Sequence, residues 1–309
     1  MTKNSPYNEG ARNSSSNLTA TTFTVKEAST LLPFITQALH GISRSKAKSI
    51  LTGGGVTVND KVRLRHDYPL SPGDTVAVSK RKPAPHPDTK YIRIVYEDSH
   101  IIVIDKQPGI LSMASNHHAF SVKSLLDDYF HRSRQRCTAH VVHRLDRDTS
   151  GLLVYAKTLQ AEQTLEHNWR EIVTDRRYVA LVSGQLPQSQ GTLSSWLRDN
   201  KSFFTISYPS DPGGGKWAVT HYRQLHTDGE HSIVELKLET GRKNQIRVHL
   251  QDIGHPVCGD TKYGNGDDPI GRLALHAFRL NFFHPATGQP LTFETPLPHP
   301  FIHALRPQR

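Results

Sequence analysis

The hydrophobic positions of the chain fall into a short patterned region and a long one. In the segment SRSKAKSILTGG, apolar residues Ala47, Ile50 and Leu51 have helical spacing, and the glycines that follow end the helix. The next segment, VTVNDKVRL, predicts two short strands around an Asn-Asp turn, and SPGDTVAVS predicts a turn followed by a strand. Residues 23–80 are therefore predicted to form a small α+β domain.

The longer region begins at Tyr91, where the hydrophobic pattern predicts many strands and a few helices. Strands are predicted at IRIVYE, IIVIDK, HVVH, GLLVYA and RRYVALVSG, and hairpins at HYRQLHTDGEHSIVELKLE and RLALHAFRLNFFHPATGQPLTFETP. Helices are predicted at SVKSLLDDYFHR, LQAEQTLEHNWREIV and QIRVHLQDIG. Because most strands are joined by tight turns, we expect an α+β domain over residues 91–309 with a mixed, largely antiparallel sheet.

Two segments lack a pattern typical of folded elements. Residues 1–22 are rich in Ser, Asn and Thr without an apolar stretch, which predicts a disordered tail and not a secretory signal. Residues 81–90, RKPAPHPDTK, are Pro-rich and charged, which predicts a linker. No apolar run approaches the roughly 20 residues of a membrane helix, so we expect no membrane partner.

The positive charge is concentrated near the N-terminus. The formal net charge is +10, of which residues 1–90 carry +7 and the remaining residues +3. A basic domain beside a near-neutral one is typical of an electrostatic anchor for a polyanion. We expect Arg44, Lys46 and Lys48 on the predicted helix to contact this polyanion, although the same charge also fits the solvated surface of a basic protein.

The cysteines and histidines do not predict a metal site or a disulfide. Cys137 and Cys258 are the two cysteines, and they have no CxxC spacing, which suits a reducing cytoplasm. His117 and His118 are adjacent but have no third ligand nearby, so we interpret them as a solvated loop. No GxGxxG motif follows a strand, so a dinucleotide cofactor is not predicted.

The segment VVHRLDRDTSGLLVYAKT places a charged loop between two apolar runs. In this loop, Asp146 lies between Arg144 and Arg147. Nearby positive charge favours the ionised form of a carboxylate, and a rigid scaffold makes such a group a candidate nucleophile or base. The alternative is an ordinary ion pair in a surface loop, which contributes little.

Two further clusters of cations lie in other predicted elements. One begins a strand and the other surrounds the start of a helix, whose N-terminal amides can also hold an anion. The two clusters are Arg176, Arg177 and Tyr178, and Arg242, Lys243, Gln245 and Arg247. Three clusters that mix many cations with few acids are expected to line one cleft for a polyanion.

These motifs carry a resemblance to a known family. HRLDRDTSGLLVYAK resembles the signature loop of the RluA-type pseudouridine synthases, and His143 favours this branch over the small-subunit type, which usually has Gly there. RRYVALVSG and TGRKNQIRVHLQDIGHPVCGDTKYG are similar to the next two motifs, with Asn244 where the family often has His. The resemblance covers residues 91–300, and residues 42–79 resemble the αL, ribosomal-protein-like RNA-binding domain of many members.

The resemblance implies the pseudouridine synthase fold and the isomerisation of uridine in RNA, without a cofactor or a metal. Asp146 would act at the sugar as nucleophile or electrostatic partner, Tyr178 would stack on the target base, and Arg247 would pair with Asp146. Arg144 would hold the RNA open, since the target base must leave its stack. Contacts to RNA are implied for Arg144, Arg147, Arg242, Lys243 and Gln245.

Alternatives remain open from the sequence. Large-subunit ribosomal RNA is the expected substrate and transfer RNA the main alternative. A non-catalytic RNA-binding or ribosome-assembly factor would use the same fold. A carboxylate-dependent hydrolase would need a second positioned carboxylate, for which Asp148 is the nearest candidate. We expect a cytoplasmic monomer.

Overall fold

The computed structural model describes residues 20–40, 42–52, 55–59, 61–63, 65–79, 90–115 and 120–305. The chain divides into two compact units, Met1–His86 and Pro87–Arg309. The boundary falls inside the segment predicted as a linker, most of which lies outside the described residues, as do most of the predicted tail and the His117-His118 pair.

The first unit is a small α+β domain. Its elements are β1 (Ala20–Thr24), β2 (Ser29–Thr30), α1 (Leu31–Ala38), α2 (Arg44–Thr52), β3 (Val56–Val58), β4 (Lys61–Val62), β5 (Pro69–Leu70) and β6 (Thr75–Ser79). The strands form a sheet of order β1-β6-β3-β4 and a separate β2-β5 pair. The predicted helix and hairpin are therefore present at α2 and at β3-β4.

One boundary prediction in this unit is wrong. The predicted tail reached residue 22, but β1 begins at Ala20 and pairs antiparallel with β6, joining Ala20 to Ser79 and Thr24 to Thr75. A Thr-rich segment carries little hydrophobic signal, and its partner strand lies about fifty residues further along the chain. The pairing that makes it a strand is therefore invisible in the local pattern.

Among its described residues, the second unit contains nine strands in its main sheet path, two that attach to it, and five helices. Its elements are β7 (Ile92–Glu97), β8 (Ile101–Lys106), α3 (Val122–Arg132), β9 (His140–Val141), β10 (Ser150–Ala156), α4 (Leu159–His167), α5 (Trp169–Ile172), β11 (Val173–Ser183), β12 (Gln190–Asp199), β13 (Thr205–Tyr208), β14 (Lys216–Thr227), β15 (His231–Leu238), α6 (Gln245–Asp252), β16 (Leu275–Phe283), β17 (Pro290–Glu294) and α7 (His299–His303).

The strands of this unit form one large mixed sheet. The strand order is β13-β12-β14-β15-β11-β16-β10-β8-β7, with β17 beside β16 and β9 beside β10. Among the described strands, β10 and β16 form the one parallel pair. The predicted α+β class with a largely antiparallel sheet is confirmed.

The centre of the sheet is covered on both faces. Every residue of β8 and β10 is buried. Successive residues of β10 point to opposite sides, so that Leu153 and Tyr155 belong to one core cluster and Leu152 and Val154 to another. Burial on both faces explains the continuous apolar runs in these strands and provides a rigid base for the loop that precedes β10.

In the second unit, the hydrophobic pattern missed three elements and predicted two helices as one. Strands β12 and β13 contain mostly exposed and half-buried residues with few buried ones, so their apolar signal is weak. Helix α7 has five residues and is held by Phe301, which is fully buried. The single helix predicted after β10 is two, α4 and α5, divided at Asn168. No helix in the described ranges has the length and apolar character needed to cross a bilayer.

Candidate active site

The predicted clusters of the second unit meet at one large cleft. The charged loop before β10, the start of β11 and the start of α6 all contribute to its lining. Its volume is about 1340 Å³, larger than the ~300–1,000 Å³ of typical small-molecule pockets. A cleft of this size, lined by Asp146, Tyr178 and several cations, suits a segment of a polyanion better than a single metabolite.

Buried polar side chains fix the charged loop to the sheet. Lys106, at the end of β8, is fully buried, and its ammonium group donates to the carbonyls of Gln107, Ile110 and Arg147 at 3.1, 2.9 and 2.8 Å. Burial lowers the pKa of Lys106 to about 7, and the carboxylates of Asp148 and Asp146 oppose this shift. Three carbonyl acceptors match the three N–H groups of a charged ammonium, so we regard Lys106 as protonated.

A glycine ends the loop because the backbone of a neighbouring strand lies against it. Gly151 has φ +116°, and a Cβ atom placed there would lie 2.2 Å from the carbonyl oxygen of Ala277 on β16. This close approach accompanies the parallel pairing of β10 with β16, in which Gly151 is the partner of Ala277. The glycine of the Thr-Ser-Gly sequence is thus a requirement of strand packing beneath the site.

Asp146 is held by an arginine from a different element. The Nη1 atom of Arg247, on α6, donates to Oδ2 of Asp146 at 3.1 Å. The Asp146 side chain is 35% exposed and that of Arg247 12%. The second oxygen, Oδ1, has no hydrogen-bond partner among the described residues, so one carboxylate oxygen is fixed and the other is free.

Arg247 is itself fixed by a second, buried carboxylate. Its Nε and Nη2 atoms donate to the two oxygens of Asp260 at 2.6 and 2.7 Å, and the Asp260 side chain is fully buried. Burial alone would lower the pKa of Arg247, but the hydrogen bonds and charge of Asp260, followed by the charge of Asp146, raise it. Arg247 therefore stays charged and presents its remaining nitrogen to Asp146 in a fixed orientation.

Asp260 remains ionised although it is buried. Burial raises the pKa of Asp260. The hydrogen bonds and charge of Arg247 and the backbone amides of Tyr263 and Lys262 outweigh this effect, so the pKa lies below its usual value. The two amides donate to Oδ1 at 2.9 and 2.8 Å. We call Asp146, Arg247 and Asp260 the carboxylate clamp.

Asn244 supports the clamp at the position where the resembling family often has His. It takes a left-handed conformation with φ 53° at the start of α6, which Asn tolerates better than most residues. Its Oδ1 accepts from Nη1 of Arg247 at 3.1 Å, and its Nδ2 donates to the hydroxyl of Tyr263 at 3.0 Å. The guanidinium of Arg247 also lies 5.1 Å from the centre of the Tyr263 ring.

Tyr178 lies on β11, at an irregularity in the pairing of β11 with β16. It is 9% exposed and lines the same cleft as Asp146 and Arg247. Burial and the charge of Asp146 raise the pKa of its hydroxyl, whereas Arg176 lowers it. The phenol is therefore protonated at neutral pH and available as a proton donor.

A stack of three planar groups forms part of the cleft wall. Trp169, on α5, lies with its ring centre 4.7 Å from that of His143 and 5.6 Å from the guanidinium of Arg176. Nε2 of His143 accepts a hydrogen bond from the amide of Val154 at 3.1 Å. Burial, with a smaller effect of Arg176, lowers the pKa of His143 to about 3, so the ring is neutral and serves to hold the loop.

The two arginines that flank Asp146 in the sequence point to different places. Arg144 is exposed and lines the cleft. Arg147 pairs with Asp148, at 3.1 Å from Nε to Oδ1, and is not among the residues that line the cleft. Arg147 therefore lies outside the lining of the cleft, and its predicted contact with RNA stays a prediction.

The second cation cluster divides in the same way. Arg177 pairs with Asp175 at 2.8 Å and with Glu235 at 3.1 Å. Its neighbour Arg176 lines the cleft. Alternation along β11 explains the difference, because successive side chains in a strand point to opposite faces.

At the start of α6, Gln245 is not placed as an RNA contact. It is 2% exposed, and its amide is fully used: Oε1 accepts from Thr240 and Arg242, and Nε2 donates to Val219 and Thr220. The prediction that its side chain binds RNA conflicts with this geometry. Because all four hydrogen-bonding positions are occupied, its observed role is to tie the start of α6 to β14.

The other two cations of this cluster reach the cleft. Lys243 and Arg242 both line it. Lys243 pairs with Asp199 at 2.7 Å, and Nε of Arg242 donates to the carbonyl of Trp217 at 3.0 Å. The three cations predicted on α2 of the first unit, Arg44, Lys46 and Lys48, are exposed.

One group of ligand-type side chains lies in the second unit. Ligand atoms of His231, Cys258 and Asp267 lie within 4.8 Å of one another. Oδ2 of Asp267 already accepts from Ser183 at 2.7 Å and lies 3.0 Å from Nε2 of His231. Burial, and then the charge of Asp267, raises the pKa of the Cys258 thiol to about 12. A protonated thiol in a hydrogen-bonded network is a poor metal ligand, and the expectation that no metal is needed stays a prediction.

Sequence reasoning missed the residues that position the site. Asp260 lies in the segment GDTKYG, inside a motif that carried the resemblance, and Lys106 ends the predicted strand IIVIDK. Asp260 follows a glycine, and Lys106 lies two positions before a proline. Nothing in the local sequence indicates that either side chain is buried beneath the cleft.

Two families of known proteins match this chain. The RNA pseudouridylate synthase family matches residues 100–252, and the S4 domain family matches residues 31–76. Two solved human structures are similar to the second unit's fold. RNA pseudouridylate synthase domain containing 4 has a TM-score of 0.56 and 23% identity and covers 68% of this chain and 90% of its own. Human RNA pseudouridylate synthase domain containing 1 has a TM-score of 0.54 and 27% identity, and it covers 67% of this chain and 84% of its own.

Relatives extend the match to most of the chain. An "uncharacterized RNA pseudouridine synthase YjbO" of Bacillus subtilis is 36% identical over 269 residues, covering 84% of this chain and 92% of its own. Ribosomal large subunit pseudouridine synthase D of Neisseria meningitidis is 35% identical, and the match covers 88% of this chain and 76% of the relative. Ribosomal large subunit pseudouridine synthase C of Vibrio cholerae is 33% identical, and the match covers 89% of this chain and 92% of the relative. The chain therefore belongs to the RluA-type RNA pseudouridine synthases, with an S4 domain at its N-terminal end.

Proposed function

We propose that the carboxylate clamp and Tyr178 form the catalytic set with which this enzyme isomerises uridine in RNA. In the reaction, the C1′–N1 bond breaks, a C1′–C5 bond forms, the hydrogen on C5 leaves as a proton and N1 gains one. The observation that supports this proposal is the hydrogen bonding of the Asp146 carboxylate. Arg247 fixes one of its oxygens at 3.1 Å, and the other is free to meet the sugar or the base.

We propose a different role for each residue. Asp146 is the group that acts on the nucleotide, and Arg247 is a positioning residue that orients it, with Asp260 behind it. Tyr178 supplies an aromatic face for the displaced base and a protonated hydroxyl for proton transfer. Arg144, at the exposed end of the cleft, holds the RNA strand from which the base has been displaced.

The substrate we propose is large-subunit ribosomal RNA. Support comes from the names of the Neisseria and Vibrio relatives and from the basic S4 domain. The exposed cations of α2 suit contacts with RNA phosphates, whereas Arg242 and Lys243 suit phosphates beside the target base. Transfer RNA is the second candidate, and mapping pseudouridines in cells with and without the gene separates the two.

We further propose that the enzyme acts as a monomer in the cytoplasm, where the free thiols of Cys137 and Cys258 stay reduced.

The central test replaces Asp146 by asparagine. Asp146→Asn keeps the shape of the side chain but removes its charge, and no second carboxylate in the described part of the cleft takes its place beside Arg247 apart from the buried Asp260. Release of tritium from C5 of uridine-labelled ribosomal RNA should fall below detection, while RNA affinity and the thermal unfolding midpoint stay near those of the wild type.

Asp148→Asn is the matched control. Asp148 lies two positions away, is 41% exposed and pairs with Arg147. The control should keep nearly full activity, because a turn carboxylate with an exposed partner contributes little. Substantial tritium release by Asp146→Asn, or equal loss in both variants, contradicts the assignment. Absence of release by the wild type on both ribosomal and transfer RNA would favour a binding factor on the same fold.

A further inference from the structure

The hairpin that joins β12 to β13 carries exposed aromatic side chains beside the cleft. At its tip, Phe203 is 74% exposed and Phe204 42% exposed. Large aromatic side chains that remain exposed on a structured loop call for an explanation, since burial of such a ring is favourable. No residue of this hairpin belongs to the motifs that identified the family.

The tip is rigid and its backbone is unusual. Oδ1 of Asn200 accepts hydrogen bonds from the amides of Ser202 and Phe204, both at 2.9 Å, and the amide of Asn200 donates to the carbonyl of Phe204 at 2.8 Å. Phe203 takes φ +59°, in the left-handed region that a bulky residue enters at a cost in free energy. The loop thus displays an aromatic ring where Gly or Asn would fit more easily.

Two lysines contact the tip that carries these rings. The ammonium groups of Lys243 and Lys262 both donate to the carbonyl of Phe203, at 3.1 and 2.8 Å. Lys243 lies 5.9 Å from the centre of the Phe203 ring, and Lys262 lies 4.5 Å from that of Phe204. Lys201, two positions before Phe203, is exposed. A flat apolar face among positive charges is complementary to a nucleic-acid base flanked by phosphates.

The hairpin is also joined to the catalytic residues. The amide of Thr205 donates to the hydroxyl of Tyr263 at 3.0 Å, and the same hydroxyl accepts from Asn244, which binds Arg247 of the carboxylate clamp. Lys243 belongs both to the lining of the cleft and to the surroundings of Phe203. The tip is therefore held at a fixed position relative to Asp146.

From these contacts we infer that Phe203 is a stacking platform for an unpaired base of the RNA substrate, next to the nucleotide that enters the cleft. The inference rests on the proposed function for the identity of the cleft. Lys201, Lys243 and Lys262 balance the phosphates on either side of the stacked base. The platform holds the strand in the opened conformation that leaves the target base free for Asp146 and Tyr178.

The test compares two substitutions at one position. Phe203→Asn removes the ring, and asparagine tolerates the left-handed backbone, so the loop should keep its conformation. Phe203→Tyr keeps an aromatic face. Affinity is measured for transcribed large-subunit ribosomal RNA and for an oligouridine of about ten nucleotides, a length within one single-strand site. Loss of one stacked base should weaken binding roughly 5- to 150-fold in Phe203→Asn, and Phe203→Tyr should restore it.

Turnover and a matched control complete the test. At saturating RNA, Phe203→Asn should keep kcat within about threefold of the wild type, so that its effect appears in KM. Phe283→Asn, at an exposed phenylalanine (41%) that does not line the cleft, should change neither affinity nor KM. Lys201→Gln should make the slope of log affinity against log salt shallower by about 0.7–0.9.

Unchanged affinity for both RNAs in Phe203→Asn would overturn the inference, and a change in sedimentation without a change in RNA affinity would assign the patch to a protein contact. Because oligouridine binding does not require turnover, failure of the platform and failure of the proposed catalytic set give different results.

Discussion

The N-terminal helix α2 and the cleft of the second unit both carry cations, but they hold them differently. On α2, Arg44, Lys46 and Lys48 are exposed within nine residues that contain no acid. In the cleft, the side chain of Arg247 is 12% exposed and is bound by two carboxylates and an amide. The first arrangement suits attraction of phosphates without a fixed geometry, and the second fixes one carboxylate oxygen in place.

This difference separates binding from chemistry. Exposed cations contribute through the release of counterions, which depends on their number and on salt and tolerates many geometries. A buried, fully bonded arginine is costly to desolvate and is stable only with all its partners present. Loss of charge on α2 should therefore change affinity gradually, whereas loss of one partner in the cleft should change turnover sharply.

Removal of the Tyr178 hydroxyl should have the largest effect in this comparison. Tyr178→Phe keeps the aromatic face but deletes the proton donor, and a positioned acid or base typically contributes about 10²–10⁴-fold in rate. We expect kcat to fall within that range while RNA affinity stays within about twofold, because the stacking face is kept. Single-turnover tritium release and affinity titrations measure the two quantities.

A buried tyrosine outside the cleft provides the control for this change. Tyr222, on β14, is 8% exposed and does not line the cleft. Tyr222→Phe should keep turnover near that of the wild type. Wild-type turnover in Tyr178→Phe would show that its hydroxyl has no chemical role.

Removal of the buried charge behind Arg247 should have the next largest effect. Asp260→Asn leaves Arg247 half buried without its bidentate partner, and breaking a buried pair on one side costs about 3–5 kcal/mol in the free energy of unfolding. Arg247 should also lose its orientation toward Asp146, and a misplacement of about 1 Å can reduce the rate ~100-fold. Urea unfolding and tritium release below the unfolding transition measure both effects.

Asp267→Asn is the control for Asp260→Asn, because both residues lie in the segment that connects α6 to β16. Asp267 binds Ser183 and His231 and lies outside the cleft. It should lower stability but leave turnover per folded molecule unchanged. Similar losses of turnover in both variants would indicate that Asp260 acts through general stability and not through Arg247.

Deletion of residues 1–88 should have the smallest effect on chemistry and a clear effect on affinity. Core residues of the first unit lie between Val25 and Val78 and those of the second between Ile92 and Phe301, so the second should fold alone. If three or four N-terminal cations contact phosphates, the slope of log affinity against log salt becomes shallower by roughly 2–4. Turnover at saturating RNA should remain measurable.

A full-length double variant, Arg44→Gln/Lys46→Gln, separates the effect of these charges on RNA affinity from the effect of the rest of the first unit. Two lost phosphate contacts should reduce the salt slope by about 1.4–1.8 without changing kcat. An unchanged slope in the truncated protein would mean that this unit is not the electrostatic anchor and that its charge is ordinary solvated surface.

The hydrophobic pattern was sufficient where an element has a strong local signal. Strands β8 and β10, helix α2 and the β14-β15 hairpin all follow from spacing and turn residues. It failed for β1, which pairs with a strand about fifty residues away, and for β12 and β13, which pair with each other and, in the case of β12, with β14. It also failed for α7, which is held by one buried aromatic residue. Strands in which most residues are exposed or half buried have too few apolar positions to be recognised locally.

The sequence by itself determined the family, the antiparallel character of the sheet and the candidate residues Asp146, Tyr178 and Arg247, because these lie in contiguous motifs. Only the tertiary structure decided which cations face the cleft. It directed Arg147 to Asp148 and Arg177 to Asp175, and it used every hydrogen-bonding position of Gln245 inside the fold. Side-chain direction depends on the turn or strand face that a residue occupies, and ion pairing depends on residues about a hundred positions away, as for Arg247 and Asp146. Neither is encoded in the spacing of charges along the chain.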